Sequence, residues 1–352
     1  MVQSKKSAPA PSELAYFFPA EWEKHDAIFL SWPYDIISFP SLEKVEQTYS
    51  QIIKALQETK SEEVKLFVTG ARMKKRAIKI LESNGADVSR IKFFVHNYGD
   101  VWFRDYGPTF VVNHGEKKLA MVKWKFNAWG NKYPELLKDD KMPKAINEQM
   151  KLPFFVSGIV MEGGAIETNG KGVLLTTEQC LLNPNRNPGI PKEKIEQILK
   201  SHLGVSKIIW LPGGIEGDDT DGHIDNLARF VGENTVLCSI EGNEKDSNYR
   251  NLLKNLSILS ASTDSAGKKF DVVKLPSPKV FAGQRKLSAS YCNFYIANNA
   301  VLVPQFGVET DKKALEIIAH HFPSRKVIGI DCLDLVFGYG TIHCISQQQP
   351  SV

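Results

Sequence analysis

Near its C-terminal end the sequence runs Gly338-Tyr339-Gly340-Thr341-Ile342-His343-Cys344-Ile345-Ser346, with one thiol at the close of a glycine-broken turn. Far upstream stand three acidic or histidine-bearing segments of similar build. Asp105 lies in Trp102-Phe103-Arg104-Asp105-Tyr106-Gly107-Pro108, Glu162 in Met161-Glu162-Gly163-Gly164, and His223 with Asp225 in Asp221-Gly222-His223-Ile224-Asp225. His223 and Asp225 are two residues apart, so on an extended segment they share one face. A thiolate beside an imidazole can attack an electrophilic carbon, and the imidazole can move protons for the leaving group and for water. Carboxylates around a thiol raise its pKa, a handicap for an ordinary cysteine amidase. The set makes sense if the substrate is a cation. A guanidinium is planar and permanently charged, pairs bidentately with carboxylates, and would favour the thiolate when bound.

Each residue alone has a blander reading: a turn carboxylate, a loop histidine, a buried small hydrophobe in the case of Cys344. Metal ligation by His223, Asp225 and Glu162 competes too, but three ligands with one histidine beside a thiol form an uncommon set. The remaining cysteines, Cys180, Cys238, Cys292 and Cys332, sit in apolar surroundings and read as structural.

These groups can meet only if the chain brings distant segments together, and its spacing suggests how. Four times a polar or glycine-rich segment leads into a β-hairpin with Asn/Gly turn chemistry, the turns falling near Gly115, Gly170, Gly232 and Asn298. Glu162 follows Asp105 by 57 residues, His223 follows Glu162 by 61, and Cys344 follows His223 by 121, about twice the step. Helical patterns lie between hairpins, at 191–202, 248–259 and 311–321. The first hundred residues read strand (27–33), helix (41–60, N-capped by Ser41), strand (64–68), helix (71–84), strand (91–95). The last strand pair is 326–330 with the Cys344 segment. Such a period predicts repeated β-β-α-β units around an axis, each presenting its leading residues to one centre; the alternative is an ordinary α/β sheet whose hairpins fall in step.

Composition excludes several classes. The 352 residues are 42% hydrophobic and 24% charged, as in ordinary globular domains, and the net charge of +4 is scattered, which argues against nucleic acid. No apolar run reaches the length needed to span a bilayer. Residues 1–12 form a polar tail without a signal-peptide core, ahead of a single domain over 13–352. Five widely spaced cysteines without Cys-x-x-Cys suit reduced thiols in the cytoplasm.

The segments WFRDYGPTFVV, EGGAIETNGKG, DGHIDN and HCISQQ, in that order, resemble the agmatine deiminases, grouped with the bacterial peptidylarginine deiminases among guanidine-modifying enzymes; the likeness covers nearly the whole chain. It implies a five-bladed α/β propeller (the pentein fold) with pseudo-fivefold symmetry. It also implies Cys344 as nucleophile on the guanidinium carbon, His223 as general acid/base, Asp105 and Asp225 as grips on the guanidinium nitrogens, and Glu162 as an orienting group. The intermediate would be an amidino-thioether on Cys344 and the product N-carbamoylputrescine, on the route to putrescine, with no metal or organic cofactor. Trp102 would wall the pocket for the aliphatic chain. Asp219 and Thr220, in the acidic run 216–221, would meet the distal amine, although many family members carry glutamate at the position of Asp219. Arginine or peptidylarginine as substrate, amidine transfer, and a silent cation-binding protein are the competing outcomes; Arg104, Arg186 and Arg229 could pair an arginine carboxylate. A homodimer is expected, with no membrane or nucleic-acid partner.

Overall fold

The computed structural model describes residues 8–352. The tail expected over 1–12 falls, for residues 1–7, outside the described residues; its last two residues open a 3-10 helix, Pro11–Leu14, in which Pro11 is buried. Five sheets then follow, each built on the same plan. The strand β1 (His25–Ser31) pairs in parallel with β2 (Glu63–Val68), and β2 with β3 (Ile91–Val95), joined by helices Leu42–Glu58 and Ala71–Ser83. Ser41 caps the first of these helices, its Oγ accepting the Lys44 N–H at 3.3 Å. Next come β4 (Thr109–Asn113), β5 (Lys118–Lys125) and β6 (Phe154–Val160); β7 (Glu167–Thr168), β8 (Val173–Thr177) and β9 (Lys207–Leu211); and β10 (Ala228–Gly232), β11 (Thr235–Ile240) and β12 (Asp271–Pro276). A short hairpin, β13 (Phe281–Ala282) with β14 (Arg285–Lys286), precedes the last repeat of β15 (Tyr295–Ile296), β16 (Ala300–Gln305) and β17 (Lys326–Asp331). In each of these four repeats the first two strands form an antiparallel hairpin and a helix-bearing crossover returns the third in parallel. Helices Lys192–Leu203, Tyr249–Ala261 and Thr310–His321 make three of the crossovers; Met142–Met150, which starts with Pro143 in its first turn, makes the fourth.

The first sheet is completed from the other end of the chain. The strand β18 (Ser346–Pro350) runs antiparallel to β1, with Leu30 opposite Ser346 and Ile28 opposite Gln348. This corrects the expected last strand pair: β17 belongs with β16, while the Cys344 segment closes the ring onto the first repeat. The architecture is therefore a five-bladed α/β propeller with β18, β4, β7, β10 and β15 as equivalent inner strands. Burial follows that order. The inner strands β4, β7, β15 and β18 are buried throughout, while the outer β3, β12 and β17 alternate with solvent. Even the polar Ser346, Gln347, Gln348 and Gln349 are buried, Gln348 against Arg104 and Gln349 against Lys65 on the opposite face. Among the described residues no helix is long and apolar enough to cross a membrane.

Candidate active site

A single tight turn precedes every inner strand, and four of the five carry one or two of the candidate groups. Asp105 sits in the one-turn helix Phe103–Tyr106, and Glu162 immediately precedes the 3-10 turn Gly163–Ala165. His223 immediately precedes Ile224–Asn226, which contains Asp225. Cys344 lies in a turn closed by Ile345 N–H to Thr341 O (3.2 Å) and Ser346 N–H to His343 O (3.1 Å). The expected convergence is thus observed, because fivefold repetition points all these turns at one axis. The fourth repeat contributes as well. Asn293, in the turn before β15, places Nδ2 3.1 Å from Cys344 Sγ and accepts from the His343 N–H at 3.1 Å. The doubled step from His223 to Cys344 had concealed it, although the repeat phase alone points to that turn.

Two glycines are small because the site has no room for more. A Cβ on Gly164 would come within 2.6 Å of His223 Nδ1, 2.9 Å of Asp105 Oδ1 and 3.0 Å of Asp225 Oδ2. A Cβ on Gly340 would meet the Trp102 ring at 2.6 Å and Cys344 Sγ at 3.0 Å, so the thiol turn lies flat against the indole only as glycine.

His223 is fully buried, with Nδ1 3.6 Å from Asp105 Oδ1 and Nε2 3.7 Å from Glu162 Oε2. Neither nitrogen makes a hydrogen bond. Burial opposes charge on the ring, yet Asp105, Cys180 and Glu162 facing it outweigh burial and hold its pKa well above the ordinary histidine range. Burial lifts the Asp105 carboxyl to about 6 against the pull of His223. Its two oxygens accept the Gly164 N–H (3.0 Å) and the Trp129 Nε1–H (2.8 Å). Glu162 is pushed up by burial but held below its usual range by Arg186, whose Nε donates to Oε1 at 2.7 Å.

Asp225 is likewise pushed up by burial and brought below the usual range by His343. His343 presents Nδ1 to Asp225 Oδ2 at 2.8 Å and Nε2 to Glu21 Oε2 at 2.9 Å. The ring is thereby held between two carboxylates, one on each nitrogen. Asp225 Oδ1 is left buried and without a partner. Cys344 Sγ lies 3.7 Å from Asp225 Oδ2; burial first, then Asp225 and Asp105, push its thiol well above the ordinary value.

A cavity of about 390 Å³ opens onto this cluster, with Cys344, Asp105, Trp102, Trp129, Asp219 and Thr220 in its wall. His223, Glu162 and Asp225 stand behind that wall. The Trp102 indole is fixed by Nε1–H to Asp100 Oδ2 (2.9 Å). Asp219 accepts from the Tyr133 hydroxyl at 2.7 Å and has Lys132 Nζ 3.8 Å away. Thr220 Oγ1 donates to Asp218 and accepts the His223 N–H at 3.2 Å, so it braces the histidine turn as well as lining the cavity. Five carboxylates line the cavity (Asp35, Asp100, Asp105, Glu135, Asp219) against one described cation, the exposed Lys138. The three arginines considered for an arginine carboxylate lie elsewhere: Arg186 pairs with Glu162 and Asp221, Arg229 with Glu167 and Glu21, and Arg104 with Gln348.

Two sequence readings change. Cys180 is not in purely apolar surroundings: its Sγ faces Glu162 Oε2 at 3.8 Å, and Glu162, Cys180 and His223 bring potential ligand atoms within 4.8 Å of one another. Asp225 is outside that group, turned instead toward His343, so the trio considered for a metal is not the one that assembles. Glu21 carries no sequence signal, standing ahead of the repeats, while His343 is marked in the sequence only by its place beside Cys344.

The family model for Porphyromonas-type peptidyl-arginine deiminases matches residues 17–350. The agmatine deiminase of Medicago truncatula is 35% identical over 376 aligned positions, covering 97% of this chain and 98% of that protein. The solved structure of an Enterococcus faecalis agmatine deiminase superposes with a TM-score of 0.90 at 31% identity, covering 98% of both chains. A cysteine-to-serine variant of C. jejuni agmatine deiminase with substrate bound gives 0.84 at 32% identity, over 95% of this chain and 96% of that one.

Proposed function

The chain belongs to the Porphyromonas-type peptidyl-arginine deiminase family, and from its site we propose that it hydrolyses the guanidinium group of agmatine to N-carbamoylputrescine and ammonia, on the route to putrescine. One observation carries the choice of substrate. The cavity above Cys344 is lined by five acidic side chains, two of them raised by burial to about 6 and 7 (Asp105 and Asp100), against one lining cation, the exposed Lys138. Lys132 beside it is already paired to Asp221 and Asp219, and this balance suits a molecule that is cationic at both ends.

In this reading the guanidinium docks against Asp105 and the unpartnered Oδ1 of Asp225, its chain along Trp102 and its amine toward Asp219. The bound cation offsets the carboxylates that hold Cys344 as a thiol, the thiol proton passes to solvent, and the thiolate adds to the guanidinium carbon. The imidazolium of His223 gives its proton to one nitrogen, ammonia leaves, and an amidino-thioether remains on Cys344. Neutral His223 then takes a proton from water as its oxygen adds to that carbon. Collapse expels the thiolate and leaves the ureido product, the last proton being carried off as ammonium. Glu162, locked by Arg186, keeps the His223 ring in place and favours its charged form.

The test is direct. The purified protein is incubated with agmatine, free arginine and a blocked peptidylarginine, and ammonia and ureido product are measured. Turnover of agmatine well above the other two is expected, with none in Cys344→Ser; agmatine turnover no greater than in that variant sinks the proposal.

A further inference from the structure

On the face of His223 turned from Asp105, three donor atoms of different chemistry converge. His223 Nε2 stands 3.7 Å from Glu162 Oε2, and Cys180 Sγ stands 3.8 Å from the same oxygen. All three side chains are fully buried, and their ligand atoms lie within 4.8 Å of one another. Arg186 occupies only the other oxygen of Glu162, so Oε2 faces the Cys180 thiol and the His223 ring alone among the described residues. The histidine nitrogen has no hydrogen bond to give up. Sulfur, imidazole nitrogen and carboxylate oxygen are the ligand types of zinc, and ligands at ~2.0–2.3 Å from a tetrahedral ion sit roughly 3.3–3.8 Å apart. The two spacings to Glu162 Oε2 lie at the upper end of that range, and the third lies within 4.8 Å.

We propose that Glu162, Cys180 and His223 form an inhibitory site for a thiophilic divalent cation of the zinc type. Binding exchanges the Cys180 thiol proton and the His223 imidazolium proton for one dication, so two protons leave and no net charge is added to a buried region. This neutrality matters, because a bare extra charge there would meet a desolvation penalty of several kcal/mol per ion. The metal ties down the ring nitrogen and so stops proton transfer; that part rests on the role of His223 proposed above, while the binding itself does not. The cation is not a cofactor of the reaction, since the site it fills is made by silencing the base.

Chelator-stripped full-length protein is titrated with Zn2+ at neutral pH against a chromophoric chelator, in the wild type, Cys344→Ser and Cys180→Ser, with X-ray absorption on the bound ion. The expected result is one equivalent bound in the wild type and in Cys344→Ser, sulfur in the first shell of both, and about 100-fold weaker binding in Cys180→Ser. Thermal unfolding without metal checks that Cys180→Ser is folded; if it is not, the sulfur signal in Cys344→Ser decides alone. Zinc lost in Cys344→Ser, or bound without sulfur there, overturns the site. Zinc held through Cys180 with agmatine turnover intact overturns the inhibition and counts against His223 as the proton carrier, whereas failure of turnover without zinc concerns only the proposed reaction.

Discussion

The cavity has two ends built on different principles. At the reacting end Cys344, His223, Glu162 and Asp225 are buried, each comes from the turn before an inner strand, and each carboxylate is fixed by a partner: Arg186 for Glu162, His343 for Asp225, Trp129 for Asp105. At the distal end Asp219, Tyr133 and Lys132 sit on connecting segments and keep substantial exposure, and the rim carries Ile37 at 91% exposed. Charges at the first end interact through a water-poor medium, where an ångström or a lost partner matters; at the second they are screened and adaptable. In the proposed reaction the chemistry is thereby tied to the symmetry of the fold, and the distal contacts to connecting segments outside it.

The sharpest contrast should appear on substitution. Cys344→Ser is expected to lower kcat by at least about 10⁴-fold, the scale on which nucleophiles act, with no ureido product by mass spectrometry. Gly164→Ala should come next, though it removes nothing: its methyl group would meet His223, Asp105 and Asp225 at 2.6–3.0 Å. A displacement of that order costs about 100-fold in kcat. A Gly164→Ala enzyme with unchanged kcat would mean that the reacting end is as pliable as the distal one.

His343→Ala tests whether partners, and not only contacting groups, define the reacting end. It leaves Glu21 and Asp225 without the ring that bridges them, and truncating one member of a buried ionic network typically costs about 3–5 kcal/mol. The expected signature beyond lower stability is a loss of about 10- to 100-fold in kcat/KM, with its acid limb moved to higher pH. The direction follows from Asp225, whose carboxyl His343 holds low. His343→Gln, which keeps one donor, should recover part of both. An acid limb unmoved in folded His343→Ala would reduce His343 to a structural residue.

The sequence made the two ends unequally legible for the same physical reason. Hairpin turns and their leading polar residues recur with a period, so Asp105, Glu162, His223 and Asp225 could be read as converging before any geometry was known. That period also contained Asn293, obscured only because amides are rarely read as chemistry. Three things had no local signal. The pairing of β18 with β1 joins residues more than 300 apart. Glu21 reaches His343 from outside the repeat. Cys180 looks apolar in sequence, and only folding turns it onto Glu162. The inner strand Glu167–Thr168 is only two residues long, because Gly163–Ala165 coils to form the turn that follows Glu162.

Acid titration separates the ends without mutation. Burial raises Asp105 to about 6, and only its ionised form attracts a guanidinium. As pH falls through 6 the free enzyme gains a proton there, so kcat/KM should drop about tenfold by pH 5. Bound cation pulls the same carboxyl back down, so kcat at saturating agmatine should hold to lower pH. Equal acid limbs in kcat and kcat/KM would show that Asp105 does not face the cation.

Asp219→Asn should have the smallest effect and the most specific one. The side chain keeps an acceptor for the Tyr133 hydroxyl, so the loop retains its bond, but the charge facing the distal amine is gone. With the carboxylate partly exposed and Lys132 already nearby, the loss is that of a screened pair, up to about 1 kcal/mol, or about fivefold in KM. The reacting carbon lies at the other end of the cavity, so kcat should stay within about twofold. Added salt should shrink the wild-type advantage in KM, as it does for exposed charges. A fall in kcat as large as the rise in KM would show that amine binding at the open end is coupled to the chemistry at the buried one.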